Sequence, residues 1–307
     1  MSSRRFTVVL VLVLLLALSV AAVPGGAAGA VGPKYYISLG DSVAAGWQPD
    51  PLTSVASITN QGYADQLYRR LRDAVPGLQH QKMGCPGETT TSMKNGGCPH
   101  AALLGYGTTP ATSQLGKALA FLAAHPGEIA FITIDIGVND ILSQCPLNMD
   151  PDELPGCVGA ALGNMAGNLG QIVGALRVAT AGQVPIVGMN YYNPYLAVWL
   201  EGIPPDGTAG PALAEASTDL AATLNGVLAL VYGNPALQVP VADVFTAFRT
   251  TRWQMVDGQP FNVFRVCQYT WMCYGDPPFM DIHPNRRGHG VIASTFQEVL
   301  HSQYGIG

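Results

Sequence analysis

At 307 residues the chain has room for one large domain or two small ones. With 48% hydrophobic and 11% charged residues it can bury a sizeable core, which excludes a disordered chain. The formal net charge is -5, and basic groups lie close together only at Arg4-Arg5, Arg69-Arg70 with Arg72, and Arg286-Arg287, so nucleic acid is not expected as a partner.

The first thirty residues read as an export signal. Arg4-Arg5 precede an apolar run from about Phe6 to Val23, and small residues ending Ala28-Gly29-Ala30 follow. Cleavage is expected after Ala30, leaving 31–307 as one domain outside the cell. A run of this length also admits a single membrane span. The small residues favour cleavage, and no Cys follows the run to carry a lipid, so no stable membrane anchor is expected.

Tyr35 to Leu39 is an apolar run stopping at Gly40, as a buried parallel strand does before a tight turn. Gln61 to Arg72 is an amphipathic helix with Tyr63, Leu67 and Leu71 at helical spacing, and Gln79 to Gly84 is a second strand. Ala111 to Ala124 carries Leu115, Leu119 and Leu122 on one helical face, ended by Gly127. Glu128 to Ile136 is the clearest central strand. The spacing then predicts a helix over Ala160 to Ala181, a strand over Val184 to Met189, a helix over Leu213 to Tyr232 and a strand over Leu237 to Val244. Asn285 to Tyr304 closes the chain as a helix that Asn285 can cap. Long segments from Asn190 to Gly210 and from Phe245 to Pro278 read as cleft-shaping loops. Strands alternating with helices imply a parallel sheet covered on both faces, a single three-layer α/β/α domain.

Cys85, Cys98, Cys145, Cys157, Cys267 and Cys273 all lie beyond the export signal. They fall in three close pairs, so Cys85-Cys98, Cys145-Cys157 and Cys267-Cys273 is the simplest disulfide set. No Cys-x-x-Cys pair and no His-Glu-x-x-His motif is present, so no metal is expected.

Four short segments carry the chemistry: Gly40-Asp41-Ser42, Pro86-Gly87-Glu88-Thr89-Thr90, Gly137-Val138-Asn139-Asp140 and Asp281-Ile282-His283-Pro284. Each alone is weak, because Gly-Asp-Ser is common turn chemistry and a single His is more often structural. Ser42, Gly87 and Asn139 each lie just beyond a predicted strand, at the carboxyl end of a sheet where ligand chemistry gathers. A serine hydroxyl needs a base to take its proton, and Ser42 with His283 is the pair on offer. Asp41 reads as a residue that holds the turn, and Asp140 as one that ties its loop to neighbouring backbone.

In this order the segments resemble the GDSL/SGNH family of serine ester hydrolases, most of all its secreted actinobacterial esterases and lipases. The resemblance spans roughly Lys34 to Ser302. It implies a flavodoxin-like sheet and an acyl-enzyme on Ser42, with His283 as base and then acid. It implies an oxyanion hole from the Ser42 and Gly87 N-H groups and the Asn139 amide, and no organic cofactor. The family's usual Asp three residues before the His is Met280 here. The orienting group is therefore either the Asp281 carboxylate, two residues before His283 on one face of an extended segment, or the Met280 backbone carbonyl. The lean is toward Asp281. Thr-Trp-Met-Cys before the His segment is also shared with the secreted relatives, and a Cys267-Cys273 bridge is expected to hold the His-bearing loop in register.

A monomer acting on a small-molecule or lipid ester is the expectation. Tyr191, Tyr192, Tyr195 and Trp199, with Pro194, read either as an acyl-pocket wall or as loop packing. His80, His100, His125, His289 and His301 have no partner motif and read as surface or packing residues. Two other activities share the same machinery or fold: acyl transfer to an alcohol, and surface binding without catalysis.

Overall fold

The computed structural model describes residues 32, 34–145, 150, 152–200 and 210–307. The expected export signal lies outside them. Five strands form the central sheet: β1 Lys34–Gly40, β2 Leu78–Lys82, β3 Ile129–Asp135, β4 Ile186–Met189 and β5 Val241–Ala242, in the order β2-β1-β3-β4-β5. Every neighbouring pair is parallel. The apolar runs of β1 and β3 account for this, because a strand covered on both faces has no side left for polar residues. Tyr36, Ile37 and Leu39 of β1 and Phe131, Ile132 and Ile134 of β3 are fully buried.

Helices cover both faces. α1 (Ser42–Ala45) follows β1 directly. α2 (Tyr63–Leu71) packs on the C-terminal α9 (Arg286–Tyr304), and α8 (Phe261–Tyr269) lies beside α9. The other group, α3 (Thr90–Asn95), α4 (Gln114–Ala124), α5 (Val138–Gln144) and α7 (Pro211–Tyr232), packs around the 26-residue α6 (Leu154–Ala179). Asn285 caps α9, accepting from the N-H groups of Arg287 and Gly288 at 3.0 and 3.1 Å.

After β1 the chain moves to one side to form β2, then returns past β1 to form β3. The crevice beyond the carboxyl ends of β1 and β3 is thus the switch point at which open α/β sheets bind ligands. Ser42 follows the first of these strands and Asn139 the second.

Several boundaries differ from the sequence reading. α6 begins at Leu154 rather than Ala160, with Pro155 in its first turn, where a missing N-H costs nothing. Of the strand expected over Leu237 to Val244, only Val241–Ala242 pairs. Gln238 adopts a left-handed φ of 49° and Pro240 has no N-H to donate, so the ladder starts late. The segment expected as loop from Phe245 to Pro278 contains α8, whose Val263 and Val266 sit at helical spacing and are buried.

All six cysteines are paired, as Cys85-Cys98, Cys145-Cys157 and Cys267-Cys273, with Cα separations of 6.6, 5.9 and 5.1 Å. The last bridge closes the turn whose Thr270 and Trp271 pair with Pro284 and Asp281 of β6 (Asp281–Pro284), so it braces the strand that carries His283. Among the described residues no helix is long and apolar enough to cross a membrane.

Candidate active site

Ser42 opens α1 two residues past the end of β1. Gly40 has φ 140°, and a Cβ there would strike the Asp135 carbonyl oxygen, so glycine is what lets the turn form against β3. Two fully buried carboxyls then fasten the start of the helix. Asp41 accepts from the Val43 N-H at 2.8 Å and the Tyr191 hydroxyl at 2.7 Å. Asp135 accepts from the Ala44 N-H at 3.0 Å and the Tyr63 hydroxyl at 2.6 Å. Burial pushes both carboxyls up, and the Asp41 charge helps hold Asp135 well above the usual carboxylate range. The N-H groups of residues 43 and 44 are thereby used, while that of Ser42 has no acceptor among the described residues.

Pro86 and Gly87 are the central residues of a turn closed by the Glu88 N-H on the Cys85 carbonyl at 3.1 Å. Proline followed by a glycine with φ 77° is the pattern of a type II turn. The Cys85-Cys98 bridge brings Pro99 so close that a Cβ on Gly87 would lie 3.0 Å from its ring. Asn139, in the first turn of α5, donates one amide N-H to the Glu88 carbonyl at 3.0 Å, and its second amide N-H has no acceptor among the described residues. Asp140 ties the same helix to Thr90, accepting from its N-H at 2.8 Å and its hydroxyl at 2.6 Å.

Gln114 joins these segments and was missed in the sequence. Its amide pairs with Gly40 like a peptide group, accepting from the N-H at 2.7 Å and donating to the carbonyl at 2.9 Å, and it also donates to the Glu88 carboxyl at 2.8 Å. The buried residues of α4 are Gln114, Ala118 and Leu122, and of the face the sequence suggested, Leu122 is among them while Leu115 and Leu119 are half-buried against the core. A glutamine at the head of that buried stripe was the available signal.

Burial pushes Glu88 up to about 7, against hydrogen bonds from Ser92 and Gln114 that favour its ionised form. A carboxyl with a raised folded value stabilises the fold fully only below its unfolded value, and that stability is lost as pH rises through the folded one. Glu88→Gln removes this loss. The variant is expected to match wild type near pH 4 and to exceed it by about 3 kcal/mol at pH 8. Urea unfolding at the two pH values checks this, and an equal difference at both would contradict it.

His283 lies on β6. Its Nδ1 is 2.8 Å from Asp281 Oδ1, and the same oxygen accepts the His283 backbone N-H at 2.9 Å. The extended segment puts both side chains on one face. Met280 has a left-handed φ of 51°, and its carbonyl makes no hydrogen bond to the imidazole among the described residues. Tyr192 steadies the strand by donating to the Ile282 carbonyl at 2.8 Å.

Ser42, Gly87, Asn139 and His283 line one cavity of about 790 Å³. From Ser42 it runs between α5 and α6 on one side and α7 on the other, walled by Leu142, Val158, Leu162, Leu220 and Leu224. Ser42 and His283 face it together without a direct hydrogen bond, a contact that in such pairs tightens when substrate binds. Tyr191, Tyr192, Pro194 and Tyr195 also line it, whereas Trp199 packs in a separate small cluster around Leu196, Val263 and Met272. His100, read from the sequence as a surface or packing residue, packs its ring against Trp47 and also lines the cavity. His80 and His289 are packed inside, and burial lowers each to about 3.

The sequence model of the GDSL-like lipase/acylhydrolase family matches residues 38–291. The chain belongs to this family. No curated protein matches it. Among solved structures, the extracellular lipase of Streptomyces rimosus superposes with a TM-score of 0.50 at 17% identity, covering 88% of this chain and 99% of that one. A Bacillus subtilis protein superposes with a TM-score of 0.50 at 13% identity, covering 90% of this chain and 58% of that one. At such identities the likeness is one of fold, a GDSL hydrolase sheet flanked by helices.

Among the described residues, Cys85, Glu88 and Cys98 are a grouping with the spacing of metal ligands. Its two sulfurs form a disulfide and are not thiolate donors. What the cavity offers is a hydroxyl, an imidazole and a side-chain amide set among mostly apolar side chains.

Proposed function

We propose that the protein is a secreted carboxylic ester hydrolase of the lipase or esterase type, acting through an acyl-enzyme on Ser42. His283 Nε2 takes the Ser42 proton as Oγ attacks the ester carbonyl. The developing oxyanion is held by the Ser42 and Gly87 N-H groups and the Asn139 amide. His283 then passes its proton to the leaving alcohol, and afterwards activates the water that releases the acid. Asp281 accepts from Nδ1-H, fixing the tautomer and stabilising the imidazolium. Export is supported by the apolar segment ending at Ala30, with 31–307 as the hydrolase domain, and by the three disulfides, which persist in oxidising compartments.

The observation that carries this reading is the apolar cavity that Ser42 and His283 line together with Gly87, whose N-H has no acceptor among the described residues, and Asn139. An acyl chain laid along it gains about 0.8 kcal/mol for each methylene removed from water. Uncharged esters are therefore expected to be cleaved with kcat/KM rising up to about fourfold per methylene from acetate into the medium-chain range. A panel of chromogenic esters differing only in acyl length checks this. A profile that is flat or falls from acetate would remove the acyl groove.

A further inference from the structure

The apolar groove accounts for the acyl half of an ester and leaves the alcohol half without a seat. The leaving oxygen must lie next to His283, which protonates it, so the alcohol projects to the side of the cavity where β6 has its neighbours. Trp47 stands there. It follows Gly46, the C-cap of α1, and its short strand Trp47–Pro49 packs against β6. Against the Trp47 indole lies the ring of His100, with centroids 4.8 Å apart and planes tilted by 43°. His100 is carried there by the Cys85-Cys98 bridge and by Pro99, which abuts Gly87. Both rings are half-buried and both line the cavity. The site thus has two chemically different arms: an aliphatic one between the long helices, and an aromatic wall spanning from the oxyanion turn to the histidine strand.

We infer that Trp47 and His100 form the alcohol subsite, and that it selects esters whose leaving alcohol carries a ring with a face that can lie against the indole. An indole face attracts an aromatic ring by stacking, and the C-H face of a sugar by apolar contact. Phenols and sugars share that chemistry. An open-chain alcohol of similar size covers less of the wall. The inference rests on the ester-hydrolase reading of Ser42 and His283.

The test uses butyrate esters of ethanol, phenol and glucose, so that every substrate gives the same acyl-enzyme and the alcohol enters only through kcat/KM for acylation. In Trp47→Ala the phenyl-to-ethyl or glucosyl-to-ethyl ratio of kcat/KM is expected to fall about fivefold from its wild-type value. Trp47→Phe, which keeps a ring, is expected to restore most of it. The arm whose ratio collapses identifies the ring. If both ratios stay at their wild-type values, the subsite is refuted. The same holds if Trp47→Ala, assayed on the chromogenic panel of differing acyl length, instead changes the acyl-length profile, because the wall would then belong to the acyl arm. Wild-type protein inert toward all three esters would overturn the ester-hydrolase reading, and this inference with it.

Discussion

Ser42→Ala is expected to lower ester turnover by about a million-fold, with the fold unchanged. The size follows from the role. Without Oγ there is no acyl-enzyme, and what remains is the residual rate that oxyanion donors and substrate positioning sustain, still above that of water. The fold has no need of this hydroxyl. Asp41, not Ser42, caps α1, and the next two N-H groups are held by Asp41 and Asp135. The Ser42 side chain faces the cavity. Thermal unfolding of the variant should therefore superimpose on that of wild type, and a phosphonate ester that labels wild type at Ser42 should leave the variant unlabelled. A folded Ser42→Ala protein that turns over within tenfold of wild type would move the nucleophile elsewhere.

Legibility in the sequence follows the range of the interactions involved. β1 and β3 were readable because an apolar run of this length has one way to be buried, in the middle of a parallel sheet. The pairing of the cysteines was readable because their sequence spacing is short. The gathering of Ser42, Gly87, Asn139 and His283 around one cavity was readable because three of them trail strands and the fourth belongs to an ordered set. Gln114 was not. It works by mimicking a peptide group toward Gly40, 74 positions away, and its place at the head of a buried stripe marks it as buried without saying what it pairs with. Asp135 is similar: a carboxyl at the end of an apolar strand makes sense only once Tyr63 and Ala44 are seen to donate to it. His100 was set aside because it has no motif, and it reaches the cavity through a disulfide and a stack on Trp47. The short β5 was over-read because a backbone φ at Gln238 is invisible to hydrophobic pattern.

Asp281→Asn is expected to cut turnover by about ten-thousand-fold while leaving KM largely as it is. The Asp281 carboxylate is an acceptor only, so opposite Nδ1 it requires the proton on that nitrogen and leaves Nε2 free to take the Ser42 proton. As His283 becomes an imidazolium, the carboxylate charge stabilises it. An asparagine keeps the shape, and its Oδ1 can still accept the His283 backbone N-H. If its amide nitrogen faces Nδ1, however, the proton moves to Nε2, the tautomer that cannot act as base toward Ser42, and in either orientation the charge is gone. The rival arrangement gives the opposite result. A Met280 carbonyl would keep the imidazole in its tautomer whatever side chain stands at 281, since a main-chain acceptor survives every side-chain replacement. Steady-state kinetics of Asp281→Asn and Asp281→Ala, beside unfolding curves that establish intact folding, separate the two. Loss of kcat in both variants makes Asp281 the third member of a triad. Turnover within a few-fold of wild type in both makes the enzyme a Ser-His dyad oriented by its own backbone, with Asp281 reduced to holding the turn into β6.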